Sequence, residues 1–363
     1  MLCNEASVLG GTSLDMIDMR AIVLVFSLMG MLSVNADNNK NQLQIVTTIK
    51  PIQALVFAII DDVDIAQSQQ LIPDFASPHH YSFKPSDIRK IKKADIIFRI
   101  DEQFEMMLNP SFAHAQDKNT PIISLADALG ISLLPSSKKH RAEHGVIHNT
   151  TEESKHSSEH SSEHSLNGHH KEQQTKQHNE HDERNEHSEH NLDMHIWTSP
   201  DNAIAMAKQI TRSLSQINPE NKTQYEENLQ HLLGKIKTSI KKTKAQLKTV
   251  QQSPYIVFHD SWQYFGHYFS LNKPTVVNFH EGISVGAKTI HNVRKKIKSK
   301  NIHCVFSSTG LNPARIIALT ENMQNVKTVE IDVLARTLPI NKDTYVNWLN
   351  TMGQQIKHCL TEN

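Results

Sequence analysis

Short runs of β-branched and aromatic residues alternate with helix-period stretches from residue 43 onward, and this alternation is the feature that most constrains the fold. Strands are predicted at residues 43–49 (LQIVTTI), 94–100 (ADIIFRI) and 121–125 (PIISL), with a shorter one at 70–72. Further strands fall at 255–258 (YIVF), 275–279 (TVVNF), 304–306 (CVF) and 326–333 (VKTVEIDV). Helical patterns begin at Pro51 and cover 200–216, 286–299, 311–323 and 342–360. Strands that alternate with helices pair in parallel, because each crossover helix returns the chain to the same end of the sheet. Two such sets flank residue 235, so the fold class is α/β with two (β/α) lobes.

Between the sets, residues 219–252 place Tyr225, Leu229, Leu232, Leu233, Ile236, Ile240 and Leu247 at helical spacing. One helix here spans nearly 50 Å at ~1.5 Å per residue. The alternative is two helices broken at Gly234. The organisation is therefore an export segment 1–36, an N-terminal lobe 37–217, a linker helix 218–251 and a C-terminal lobe 252–363.

Two stretches stand apart. Residues 21–34 (AIVLVFSLMGMLSV) form an apolar run that follows Arg20 and ends at the small-x-small pattern Val34-Asn35-Ala36. This is a secretory signal, cleaved near Ala36. Glu5, Asp15 and Asp18 precede its only basic residue, which points to translation starting at Met16 or Met19. Residues 138–191 lack Phe, Trp and Tyr and hold twelve of the 23 histidines: His140, His144, His148, His156, His160, His164, His169, His170, His178, His181, His187 and His190. Such a segment cannot bury enough apolar surface to offset its ordering, so disorder is expected. It reads as a weak, multi-site Zn²⁺ or Cu²⁺ ligand. The bland alternative is a spacer that gains positive charge below about pH 6.

A net charge of zero excludes a bulk electrostatic nucleic-acid binder, and no apolar run reaches the ~18 residues of a membrane span. Removal of the signal takes Cys3 with it and leaves Cys304 and Cys359. An even count in an oxidising compartment favours a disulfide over two buried thiols.

Outside 138–191, three histidines sit where open α/β sheets hold ligands, at strand ends and adjoining loops. His79 (beside His80) follows Ala76-Ser77-Pro78, His195 lies in the run NLDMHIW, and His259 ends the strand in VFHD. Three imidazoles with a fourth position open suit tetrahedral Zn²⁺. Asp260 is either a carboxylate that orients a ligating imidazole or a helix N-cap before Ser261.

These motifs together resemble the periplasmic zinc-binding receptors of bacterial zinc-uptake ABC transporters, in the metal-binding (cluster A-I) class of solute-binding proteins. The matching pieces are TTIKPIQAL (47–55), ASPHHYSFKPSD (76–87), ADIIFRI, the His-rich segment, MHIWTSPDNA (194–203), VFHDSWQYF (257–265), VGAKTI (285–290) and the two cysteines. The resemblance implies two lobes joined by one long helix, metal in the cleft between them, ligands at His79, His195 and His259, and a Cys304–Cys359 disulfide. There are two departures. Pro78 stands where some members have Glu, and Ser308 stands where a carboxylate is expected. The fourth ligand is then water, or a group such as His80, Glu281 or a histidine of the 138–191 segment. With that carboxylate gone, three imidazoles favour zinc over manganese.

The expectation is a monomeric periplasmic receptor that captures Zn²⁺ and passes it to an inner-membrane ABC permease, with the His-rich segment as collector or sensor. It has three rivals: a zinc buffer or adhesin without a transport role, a manganese or iron receptor, and a zinc hydrolase. The hydrolase is disfavoured because no HExxH or other hydrolase motif is present.

Overall fold

The computed structural model describes residues 42–116, 119–136, 192–277, 287–323 and 325–361. The export segment 1–36, the His-rich segment with all twelve of its histidines, and Glu281 lie outside the described residues.

The N-terminal lobe is a four-stranded parallel sheet. Its strands are β1 (Leu43–Thr47), β2 (Ala66–Gln70), β3 (Ile96–Arg99) and β4 (Ile122–Ser124), in the order β2-β1-β3-β4. Helices α1 (Lys50–Ile59), α2 (Pro85–Lys93) and α3 (Asn109–Gln116) form the crossovers. Pro51 fits the first turn of α1, where its missing N–H costs nothing. Ile52, Leu55, Val56 and Ile59 of that helix are fully buried. The expected strand at 70–72 is shifted: β2 is the polar run AQSQQ on the sheet edge. Leu71 and Ile72 lie beyond it, but their N–H groups still bond the Thr47 and Thr48 carbonyls at 2.9 and 3.0 Å.

A two-stranded antiparallel ribbon, β5 (Leu134–Pro135) with β6 (Leu192–Asp193), joins the two flanks of residues 138–191. Then α4 (Pro200–Ile217) starts at Ser199, whose hydroxyl accepts the Asn202 N–H at 3.3 Å.

Helix α5 (Lys222–Leu247) follows a 3₁₀ turn, Pro219–Asn221. It runs unbroken through Gly234, which lies on the exposed face, and its 26 residues span ~39 Å, short of the expected 50. Near its start, Asn228 donates to the Ile59 and Asp61 carbonyls and so caps the end of α1. Farther along it packs on α9 (Thr344–Leu360). There Gly353 permits a close approach, since a Cβ would sit 2.7 Å from Thr243 Cγ2.

The C-terminal sheet is again parallel, with β7 (Tyr255–Val257), β8 (Thr275–Val276), β9 (Cys304–Ser308) and β10 (Lys327–Ile331) in the order β10-β9-β7-β8. It is flanked by α6 (Gln263–Tyr268), α7 (Ala287–Ser299), α8 (Pro313–Thr320) and α9. Alternate residues serve two cores: Tyr255, Val257, Cys304 and Phe306 join the main one. Ile256, Phe258 and Val305 join a smaller cluster with Val293, Ile297 and Leu319. Cys304 and Cys359 form a disulfide, Cα–Cα 5.5 Å, that ties β9 to α9.

Candidate metal centre

The chain between β2 and α2 carries His79. Its far end is fixed by Asp87, whose carboxylate accepts the Lys84 N–H at 2.9 Å and the Tyr81 hydroxyl at 2.6 Å. Burial and Asp87 push the Tyr81 hydroxyl up to about 12. Within the ASPHHYSFKPSD block, then, Tyr81, Pro85 and Asp87 build a helix start, and that start fixes where the histidine loop ends.

His195 follows β6 and opens a 3₁₀ turn, Ile196–Thr198. It is buried, and Asp193 Oδ1 accepts its backbone N–H at 3.0 Å and meets its Nδ1 at 2.6 Å. A carboxylate only accepts, so this contact puts the hydrogen on Nδ1 and leaves the Nε2 lone pair as the donor. His259 stands two residues beyond β7.

The structure brings these three together. Each offers one nitrogen, and the three nitrogens lie within 4.8 Å of one another. Ring centroids are 5.5 Å apart for His79–His195, 5.2 Å for His195–His259 and 5.9 Å for His79–His259. Among the described residues no other group of three or more His, Cys, Asp or Glu converges in this way. Phe104 packs edge-on against His79 at 5.0 Å and His195 at 5.6 Å, backed by Trp197. The imidazoles line a cavity of about 50 Å³ between the lobes, small enough for an ion and little else.

His80 is exposed and outside this group. Asp260 is buried next to His259, but the N-cap of α6 is Trp262, so the capping alternative for Asp260 is set aside. Ser308 lines the cavity with a hydroxyl where a carboxylate was expected.

Two residues went unpredicted. One is Asp193, the orienting partner of His195. The other is Asp332, just past β10, the one carboxylate among the described residues that line the cavity. Its Oδ2 accepts the Thr337 N–H and hydroxyl at 2.9 and 3.0 Å, while its Oδ1 is buried with no hydrogen-bond partner. A buried carboxylate oxygen left without a donor is costly unless a cation satisfies it. The lobe that lacks a carboxylate at position 308 therefore has one at the end of the adjacent strand, at 332, just past the residue that pairs with Ser308. The expected strand 326–333 ran past Asp332, whereas the strand ends at Ile331, and so its place at a strand end was hidden in the sequence.

A two-lobed α/β chain with an imidazole cluster between its lobes belongs to the class of metal-binding solute receptors. A family profile described as "zinc-uptake complex component A periplasmic" matches residues 45–359, and the chain belongs to that family. The family is one of zinc-uptake receptors rather than enzymes. The high-affinity zinc uptake system protein ZnuA of Haemophilus ducreyi is 31% identical over 94% of this chain and 98% of its own. Its namesake in Yersinia pestis is 29% identical over 87% and 91%. Among solved structures, one described as the crystal structure of ZnuA superposes with a TM-score of 0.66 at 22% identity, covering 87% of this chain and 98% of that one. The manganese-complexed receptor FpvC of Pseudomonas aeruginosa gives 0.65 at 15%, covering 88% and 98%; both likenesses speak for the fold alone.

Proposed function

We propose that this protein captures Zn²⁺ in the periplasm with His79, His195 and His259 and delivers it to an inner-membrane ABC permease. One observation carries the reading: three imidazole nitrogens, two from the N-terminal lobe and one from the C-terminal lobe, lie within 4.8 Å of one another. Neutral imidazoles at that spacing suit a borderline-soft cation that accepts tetrahedral coordination. Asp332 is the candidate fourth donor. It stands beside water, His80, Glu281 and a loop histidine as a candidate for that role, and its negative charge would offset part of the ion's charge. A three-nitrogen, one-oxygen set still favours zinc over manganese, because harder ions prefer oxygen-rich sites. The zinc-uptake names of the relatives support the same cargo.

Ligands drawn from both lobes couple metal occupancy to lobe geometry, and a permease can sense that geometry. The 138–191 segment is a low-affinity collector or abundance sensor, the chain acts as a monomer, and the signal is cleaved near Ala36.

Growth of a deletion strain under zinc limitation tests the transport role. Restoration by the intact gene, and failure of restoration by the His195→Ala gene, is expected. Equal growth of the deletion strain and its parent would leave a buffer or adhesin. Deletion of 138–191 is expected to lower zinc stoichiometry and spare the tight site.

A further inference from the structure

His79 rides on a stretch with no strand or helix of its own, running from β2 at the sheet edge to α2. Such a segment places a ligand well only if something else holds it. On the N-terminal side, Lys50 at the start of α1 pairs with Asp74 at 2.7 Å. Across the cleft, Arg336 spreads its guanidinium between the lobes: Nη2 donates to the Ala76 carbonyl at 3.2 Å and Nη1 to the Thr309 carbonyl at 3.1 Å. The Arg336 carbonyl in turn accepts from Lys50 Nζ at 3.1 Å. Residues 74 and 76 are thus held from both lobes, and Arg336 links the two attachments.

The surrounding backbone is shaped for this. Ala335 turns the chain with φ 55, in the left-handed region that a non-glycine residue adopts at a cost. Gly310, at φ +88, faces the guanidinium; a Cβ there would lie 3.5 Å from Nη1. Arg336 also lines the metal cavity, four residues after Asp332. A guanidinium cannot ligate a cation, and beside a divalent ion its charge is repulsive. Only its hydrogen bonds can serve metal retention.

We infer that Arg336 is a positioning residue, a latch that holds the His79 segment against the C-terminal lobe and sets the rate of zinc release. The inference rests on the zinc-ligand reading above. The planar fork matters, because two divergent carbonyls need two fixed donors and a lysine ammonium supplies a point charge.

The test is stopped-flow release of zinc from the full-length, zinc-loaded protein into excess EDTA, with binding rates measured alongside. Arg336→Gln is expected to release zinc at least about tenfold faster, the factor that the loss of even one charge-assisted hydrogen bond would give. The binding rate should change much less than the release rate. Arg336→Lys keeps the charge and should release as fast as Arg336→Gln. Lys50→Met should also speed release, and combined with Arg336→Gln it should add less than its separate effect, because both act on one segment.

Unchanged release in Arg336→Gln overturns the latch. Slower release overturns it too, and marks Arg336 as a repelling cation alone. Rescue by Arg336→Lys overturns the fork. A His195→Ala control separates the two readings: if it holds zinc as tightly as the parent, the ligand reading fails and the latch fails with it.

Discussion

The two sheets share an architecture but are stabilised differently. Both faces of the N-terminal sheet lie in one continuous core; Ile45, Val46, Ile96, Ile97 and Phe98 are no more than 2% exposed. The C-terminal sheet divides its faces, and its outer one rests on a cluster of eight buried side chains. The disulfide sits on this weaker side and joins the inner face of β9 to α9. A small core that cannot supply enough burial is the place where a covalent link contributes most. The ligands follow the same division. His195 sits in the well-packed lobe with a carboxylate fixing its ring, whereas His259 and Asp332 come from the lobe with the divided core.

The largest effect expected is on that divided core. Cys304→Ser with Cys359→Ser reopens a loop with 55 residues of separation and should cost about 4 kcal/mol on the chain-entropy account. Urea unfolding with residue-resolved hydrogen exchange checks it, and protection should fall first in β9 and β10. Equal loss in β1 and β3 would erase the contrast between the sheets.

Next is the orienting carboxylate of the N-terminal lobe. Asp193→Asn is expected to weaken zinc binding 10- to 100-fold, the usual consequence of disturbing a hydrogen-bonded partner of a ligating imidazole. Calorimetry reads this, and an affinity within twofold of the parent would mean that packing alone fixes the His195 ring.

A smaller effect concerns pH. Glu105 is fully buried at the tips of β1 and β3, where it accepts the Ile100 and Asp101 N–H groups and the Thr48 hydroxyl. Burial pushes its carboxyl up to about 7 from 4.5. The folded chain therefore holds a proton that the unfolded chain releases, so this group's stabilisation is full below pH 4.5 and is lost as pH rises through 7. Relative to Glu105→Gln, the metal-free parent should lose stability between about pH 4.5 and 7, by at most ~1.4 kcal/mol per pH unit. Parallel pH profiles in EDTA would remove this pH sensitivity from the N-terminal lobe.

The smallest effect falls on the helix between the lobes. At Gly234 an added Cβ meets nothing within 4 Å, so Gly234→Ala should stabilise the protein by ~1 kcal/mol in thermal melts, with zinc affinity unchanged. A change in affinity would mean that bending at Gly234 is part of metal capture.

The strand and helix alternation was legible because apolar periodicity reports burial directly, as in ADIIFRI. Helix α2 was not predicted, because its buried residues are only Ile91 and a capping carboxylate, Asp87. Strand β2 was displaced because an edge strand of the sequence AQSQQ carries no apolar alternation. Gly234 left the long helix open to two readings, since a glycine on an exposed helix face costs only ~1 kcal/mol and need not break it. At the site, the three histidines stood out by position and motif. Asp193 and Asp332 did not, because an acidic residue in a mixed run such as LDMH or EIDV gains meaning only from the partner that folding brings to it.

The central claim is that one tight zinc site is formed by His79, His195 and His259. Zinc titration calorimetry on residues 37–363, with Mn²⁺ competing, should be run beside the combined variant His79→Ala, His195→Ala, His259→Ala. The account predicts one tight zinc site in the parent, resistant to Mn²⁺ and lost in the variant, with weak sites remaining in both. Tight binding unchanged in the variant would contradict it and place the metal elsewhere in the chain.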